Sequence, residues 1–290
     1  MRWFILEICL EGIDTIYIQL KMEMIAVLLP VYKKDNPVYF VESLNSVLNQ
    51  TYTDIKVLVG VDGPVEGELA ETLSTLEDER IKVIYFKENR GLACVLNDLI
   101  SEARSLNCHW LARMDADDIC LPSRFQKQYD FLQQHLEVDV VGGQIEEIDG
   151  EDNKNGKVVQ YPLTHEECRK FFRYRDPLAH PATFFRMRYF DKVKGYRPEY
   201  RKNQDTMLWY DGFLNGCVFA NLPETVLHFR VAADFYSRRN GWRRAKQMMS
   251  DRMKMNKALG YDISANIFAF CMFCMTISPT FIKKFLYKIR

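Results

Sequence analysis

Four short stretches of the chain are apolar almost without interruption: "MIAVLLPVY" (24–32), "DIKVLVGVDG" (54–63), "IKVIYF" (81–86) and "HWLARMDADD" (109–118). Runs of this length, bounded by polar residues, predict strands covered on both faces, as in a parallel sheet. Between them the period changes. In "VYFVESLNSVLNQT" the apolar positions Phe40, Val41, Leu44, Val47 and Leu48 recur at helical spacing, and "GELAETLSTLED" and "LACVLNDLISEAR" predict two further helices. Strands alternating with helices imply a doubly wound, mostly parallel α/β sheet. Ligands of such sheets sit at the carboxyl ends of the strands. Pro30, Tyr32, Asp62, Asn89 to Gly91 and the aspartates from Asp115 to Asp118 therefore share one edge.

After Pro122 the alternation weakens. "RFQKQYDFLQQHLE" reads as a helix, "VDVVGGQIEEID" as a strand, "EDNKNGKVVQY" as a turn-rich connection and "HEECRKFFRY" as a helix. "HPATFFRM" (180–187) reads as a strand, "RKNQDTMLWYDGFLNG" as a loop entering a helix, and "CVFANLPETVLHFR" as a strand pair. No internal repeat or low-complexity segment interrupts this order. The expected organisation is an extension over 1–23, two contiguous halves over 24–122 and 123–235, and a helical C-terminal segment over 236–290. In "MRWFILEICLEGIDTIYIQLKME", Glu7 and Glu11 break the apolar run and no small-residue cleavage site follows, which argues against an export signal.

Composition narrows the class. The 290 residues carry 39 Lys+Arg against 39 Asp+Glu, a balance that speaks against a nucleic-acid binder. Eight cysteines lack a disulfide framework spacing and read as reduced thiols of a cytosolic protein. Charge is nevertheless uneven: Arg238 to Lys257 holds eight basic residues against one acidic, and the closing "IKKFLYKIR" adds four.

The densest chemistry is "DADD". Asp115, Asp117 and Asp118 repel one another and keep their charge only beside a cation. A strand-end D-x-D can give a hard divalent ion one or two carboxylates and leave the remaining positions to phosphates and water. A calcium loop starting at Asp115 fails, because Ile119, Cys120 and Gln126 stand where an oxygen ligand, glycine and glutamate are needed. The plainer alternative is that Asp118 or Ser123 caps the following helix.

At this point the chain resembles the family 2 glycosyltransferases of the GT-A fold, inverting, metal-dependent nucleotide-sugar enzymes of bacterial surface polysaccharide synthesis. The pieces that carry the resemblance are "LLPVYKKDNPVYFVESLNSVLNQTYTDIKVLVGVDG", "ENRGLACVLNDLI", "RMDADDICLPSRFQKQ", "LAHPATFFR" and "GYRPEYRKNQDTMLWYDGFLNG", spanning roughly residues 24–230 in the family's order. The resemblance implies that Pro30 and Tyr32 flank the nucleobase, that Asp62 reads the uracil edge, and that Asn89 and Arg90 border base or phosphate. It further implies that Asp115 meets the ribose or a metal-bound water, and that Asp117 holds Mn²⁺ or Mg²⁺. Asp205 takes the place of the general base, with Gln204 where the family commonly has Glu. His180 falls near donor phosphates or acceptor, although a histidine satisfied in the core reads equally well. Arg230 and Arg238 fall in a loop that closes on the pyrophosphate, with Ala232 or Ala233 in place of the usual histidine. Read without the resemblance, Asp62 is an Asp-Gly turn, Arg90 a solvated loop arginine and "NQD" a helix cap.

The apolar run 267–277 is shorter than the ~20 residues of a transmembrane helix. Beside the basic stretches it fits a segment lying on the cytoplasmic face of the inner membrane, or equally a core helix with a solvated basic face. The expected activity is transfer of a single sugar from a UDP-sugar to a hydroxyl of a lipid-linked oligosaccharide in capsule, exopolysaccharide or O-antigen assembly. A dTDP-sugar donor, or a catalytically idle nucleotide-binding or membrane-scaffold protein, are the alternatives. A sugar-phosphate nucleotidyltransferase is disfavoured, because "PVYKKDNP" lacks the glycines of a phosphate loop.

Overall fold

The computed structural model describes residues 3–8, 16–21, 23–231 and 242–278. Two strands of the N-terminal extension, β1 (Trp3–Ile8) and β2 (Ile16–Lys21), pair antiparallel as a separate ribbon. The first half then runs β3 (Ile25–Val31), α1 (Pro37–Leu48), β4 (Ile55–Val61), α2 (Glu68–Ser74), β5 (Ile81–Tyr85), α3 (Leu92–Ser105) and β6 (Trp110–Arg113). The second half, after β7 (Ile119–Cys120), contains α4 (Arg124–Gln134), β8 (Val140–Ile148), β9 (Lys154–Val159) and α5 (His165–Phe172). It continues with β10 (Phe184–Arg186), α6 (Met187–Val193), α7 (Gln204–Leu214) and β11 (Phe219–Arg230), and α8 (Trp242–Ala258) and α9 (Ile263–Ile277) follow.

The alternating contacts of β3 show why the sheet is covered twice. Ile25, Val27, Leu29 and Val31 pack with Phe40, Leu44 and Val47 of α1. Ala26 and Leu28 point the other way, into a second core with Val95, Leu96 and Leu99 of α3. A strand buried on both faces needs apolar residues at every position, which is the pattern the sequence has. Gly60 of β4 lets α3 approach closely, since a Cβ there would lie 2.6 Å from Val95.

The large sheet is ordered β5-β4-β3-β6-β10-β8-β11-β7, with β9 also paired to β8. β5, β4, β3 and β6 are mutually parallel, as the alternation predicts, and β10 enters antiparallel between β6 and β8. The chain steps outward from β3 to β4 and β5, then returns to β3's other side as β6. That reversal opens a crevice at the carboxyl ends of β3 and β6, where such sheets bind ligands.

Three expectations for the second half are corrected. Residues 180–187 are not one strand: His180–Ala182 form a 3₁₀ turn, with Pro181 lacking the N–H a strand would use, before β10 and α6. The connection after Asp149 carries β9, an edge strand whose charged, glycine-containing sequence hides it from an apolar-run reading. The stretch from Phe219 to Arg230 is one strand, because Pro223 sits in a register irregularity between Asn221 and Thr225 and does not turn the chain back.

α8 and α9 pack on each other, with Trp242 edge-on to Phe273 at 5.2 Å. α9 buries Ala265 and Ala269 and exposes Ile263, Ile267, Phe270 and Ile277. Among the described residues no helix is long and apolar enough to cross a membrane.

Candidate active site

The crevice is built from strand ends. After β3, Asp35 closes a turn: its Oδ2 accepts from Tyr32 N at 2.9 Å, and Asp35 N donates to Tyr32 O at 3.0 Å. Pro30 is buried in β3 beside them, and Tyr32 is half-buried. At the end of β4, Asp62 N donates to Val31 O at 2.8 Å, locking the neighbouring strand end. The Asp62 carboxylate is buried and accepts from Arg90 N at 2.8 Å and Gly91 N at 2.9 Å, while Asn89 Nδ2 donates to Asp62 O at 3.1 Å. Asp62 therefore shapes the 89–91 loop and still keeps a lone pair on each oxygen for a ligand donor. Gly63 follows at φ 85°, and a Cβ there would sit 2.7 Å from Asn89 N, so the Asp-Gly turn and the loop contact coexist. The Arg90 guanidinium pairs with Asp98 and lies over Phe86, 4.6 Å from the ring centre.

Beyond β6 come the aspartates. Asp115, Asp117 and Asp118 each offer a carboxylate oxygen, and the three lie within 4.8 Å of one another. Their loop is strapped to α1: Ser43 Oγ donates to Asp115 O at 2.7 Å and Ser46 Oγ accepts from Cys120 N at 2.9 Å. Asp117 is open to solvent at the rim, yet enclosure by surrounding protein, and next the Asp115 charge, raise it to about 6. Asp118 is fully buried and raised well above the usual carboxylate range, first by burial and then by Asp117 and Asp115. Its Oδ1 accepts from Arg230 N at 2.9 Å, but its Oδ2 has no hydrogen-bond partner among the described residues. Enclosure likewise raises Asp35 to about 7, with Asp117 and Asp115 contributing.

Part of the missing cation is in the chain. Arg113, at the last position of β6, is buried and ion-paired with Asp115. A charged residue ending an otherwise apolar strand is the signal that could have singled it out. Arg230 also reaches Asp117 and Arg124 reaches Asp118 electrostatically, yet Asp117, Asp118 and the nearby Asp35 all remain raised. The crowded oxygens and the unpartnered Asp118 Oδ2 fit a hard divalent ion, and Asp115, Asp117 and Asp118 are the residues that could hold it.

Arg230 is nearly inaccessible. Its guanidinium donates to Asp117 O at 2.8 Å and Glu42 Oε2 at 2.8 Å, pairs with Asp152, and stacks on Tyr39 at 4.1 Å. It grips the backbone of the aspartate loop and does not point a free charge into the crevice. Arg238, Ala232 and Ala233 lie outside the described residues.

The remaining carboxylate expected at the site belongs to the first turn of α7. Asn203, at φ 60°, precedes it, and its side chain makes no capping hydrogen bond. The Asp205 carboxylate, half-buried in the first turn, accepts from Thr206 N at 2.8 Å. Thr206 Oγ1 donates to Asp176 at 2.8 Å, which Arg252 of α8 holds at 3.2 Å. His180 is buried, held by Tyr196 Oη at 2.8 Å and edge-on to Trp209. Burial and the Arg113 charge push it well below its usual value, so it is a neutral ring in the core. Tyr196 lies within electrostatic reach of Arg113, Asp205 and Asp115 together, and so marks where the two halves meet. Sequence reasoning assigned no role to Tyr196 and Asp35, although both lie within the quoted segments "GYRPEYRKNQD" and "LLPVYKKDNP".

This arrangement can receive a divalent ion with the diphosphate it neutralises, and it holds a further carboxylate, Asp205, in the same half-buried surroundings. Comparison with known proteins identifies the family. The family model described as glycosyl transferase family 2 matches residues 26–194. An uncharacterized glycosyltransferase of Haemophilus influenzae is 31% identical over 268 residues, 91% of this chain and 97% of its own. An Escherichia coli UDP-Gal:alpha-D-GlcNAc-diphosphoundecaprenol beta-1,3-galactosyltransferase is 28% identical over 74% of this chain and 77% of its own. The solved structure of S. aureus TarS 1-349 in complex with UDP-GlcNAc shares the fold, with a TM-score of 0.58 at 17% identity over 82% of this chain and 70% of that one. With the GT-A architecture and a family match covering strands and aspartates alike, the chain belongs to glycosyltransferase family 2.

Proposed function

We propose that this glycosyltransferase moves one sugar, with inversion, from a UDP-sugar to a hydroxyl of a lipid-linked oligosaccharide in surface polysaccharide assembly. The observation that carries the reading is the set of three aspartates crowded at the carboxyl end of β6 and under-neutralised by the chain's own cations, with Asp205 and Asp115 both within electrostatic reach of Tyr196. Pro30, Tyr32 and Asp62 border the base, with Asn89 and Arg90 beside it. A pyrimidine presents its N3–H to Asp62, whose oxygens each keep an accepting position. Mn²⁺ or Mg²⁺ bound by Asp115, Asp117 and Asp118 would supply charge neutralisation for the departing diphosphate. Asp205 accepts the proton of the acceptor hydroxyl as that oxygen attacks the anomeric carbon in line with the leaving phosphate. His180, neutral and held by Tyr196, shapes the wall between the two and adds no charge.

The UDP-sugar named for the solved relative, and the diphosphoundecaprenol-linked acceptor named for the Escherichia coli relative, support this choice of substrates. The exposed apolar side of α9, with Lys246, Lys254 and Lys257 exposed on α8, supports a peripheral place on the anionic cytoplasmic face of the inner membrane. Asp205→Asn tests the assignment. It should abolish transfer, by about 10³-fold or more, while UDP binding with Mn²⁺ persists. Transfer that survives the change removes Asp205 as the base.

A further inference from the structure

The segment joining α6 to α7, residues 194–203, belongs to the acceptor-side half, yet it is fastened to the donor-side half at two points. The first is deep. Asn97 of α3 brackets Tyr196 through its backbone: Asn97 Nδ2 donates to Tyr196 O at 2.8 Å, and Tyr196 N donates to Asn97 Oδ1 at 2.7 Å. Gly195, at φ 104°, permits this contact, since a Cβ there would meet Asn97 Oδ1 at 2.6 Å. The second fastening is at the surface. Arg201 donates through Nη1 to Asn89 Oδ1 at 3.1 Å and through Nη2 to Asn89 O at 3.3 Å, and its side chain lies 3.6 Å from where a Cβ of Gly91 would be.

The two asparagines flank one short stretch, 89–97, and the front of that stretch is held by Asp62. A continuous path of hydrogen bonds therefore runs from Asp62 through Asn89 to Arg201, four residues before Asp205. The buried Tyr196 contact fixes one end of the segment. The Arg201 contact is solvent-exposed, with two long bonds, and can make or break at little cost.

We propose that Arg201 is a positioning residue, which transmits occupancy of the nucleotide pocket to the place of Asp205. A nucleotide bound against Asp62 and residues 89–91 steadies both Asn89 oxygens on the Arg201 fork, where they already sit, and the segment leading into α7 is held with it. The base is then held more firmly when donor is present. A transferase gains from this coupling, because the base is ordered in the complex that also holds the reacting sugar, and the ordering cost of that geometry is met by donor binding.

This inference rests on the nucleotide reading of Asp62 and on Asp205 as base. It is tested by hydrogen exchange with UDP and Mn²⁺, which needs no acceptor. In the wild type, UDP with Mn²⁺ should slow exchange of residues 199–206 by about threefold or more. Arg201→Ala should abolish that protection while UDP affinity stays within about twofold, and Arg201→Lys should keep part of it. An unchanged melting temperature in both variants confirms that the fold is intact. Binding of UDP without protection of 199–206 in the wild type overturns the coupling, as does protection that persists in Arg201→Ala. A loss of UDP affinity of about tenfold or more in Arg201→Ala makes Arg201 a ligand contact and also overturns it. Failure of the wild type to bind UDP at all overturns the functional reading itself, a result distinct from binding without protection.

Discussion

Asp118 and Asp139 are both fully buried carboxylates on the same sheet, and their surroundings are opposite. Asp139, just before β8, accepts from Arg188 Nε at 2.6 Å, Lys192 Nζ at 2.8 Å and Val218 N at 2.8 Å. Asp118 receives one backbone N–H, leaves Oδ2 bare among the described residues, and has two further aspartates for neighbours. A buried carboxylate with both oxygens partnered and two cations beside it holds structure together. One left under-answered is tolerated for what it will bind.

The largest expected effect breaks the satisfied side. Asp139→Ala leaves the Val218 N–H unpaired and releases Arg188 and Lys192 to solvent, and should lower unfolding free energy by about 2–3 kcal/mol in urea titration. Asp118→Asn, at the same depth, should leave metal-free stability unchanged or raised, because a repelled carboxylate is removed. Equal losses at both sites would erase the contrast.

The next effect sharpens the unsatisfied side. Asp117→Asn should weaken Mn²⁺ binding by about tenfold or more, read by calorimetry, with no fall in the metal-free melting temperature. Changing pH adds a smaller, graded effect. Folded Asp117 and Asp35 hold protons up to about 6 and about 7, while the unfolded chain releases them near its ordinary 3.8. From about pH 4 to 7 the unfolded state therefore binds fewer protons, and metal-free stability should decline across that window. Over the same range a cation displaces those protons. Mn²⁺ affinity should rise by up to about tenfold per pH unit below about 6, the value for Asp117, and keep rising more gently above it while Asp118 still holds its proton. A flat profile contradicts the carboxylate assignment.

The smallest effect carries the contrast to the surface, where α9 leaves apolar groups unanswered as Asp118 leaves a polar one. Replacing exposed Ile267 and Phe270 by Glu should reduce binding to vesicles of anionic phospholipid by several-fold, with the melting temperature unchanged. Vesicle binding that ignores the change removes α9 from the membrane account.

What could be read from one dimension followed from periodicity. β3, β4, β5 and β6 are uninterrupted apolar runs, and the rim positions Tyr32, Asp62, Asn89 and Asp115 follow from where those runs stop. Depth was not legible. Nothing in "ARMDADD" says that Arg113 and Asp118 are buried while Asp117 is open, because burial is decided by α1 and β11 folding over the loop. Arg230 reads as a free loop cation until Glu42, Asp152 and the Asp117 carbonyl, far apart in sequence, gather on it. "CVFANLPETVLHFR" reads as a strand pair along the sequence, whereas pairing with β8 absorbs Pro223 as a register irregularity within one strand. The Arg201–Asn89 contact joins residues 112 positions apart, beyond any local signal.

Titrating UDP into the protein by calorimetry, with and without Mn²⁺, on the wild type and on Asp117→Asn, tests the central claim most directly. UDP should bind the wild type at least about tenfold more tightly when Mn²⁺ is present, and that gain should vanish in Asp117→Asn. Binding that is indifferent to Mn²⁺, or a gain that survives loss of the Asp117 carboxylate, would contradict the account.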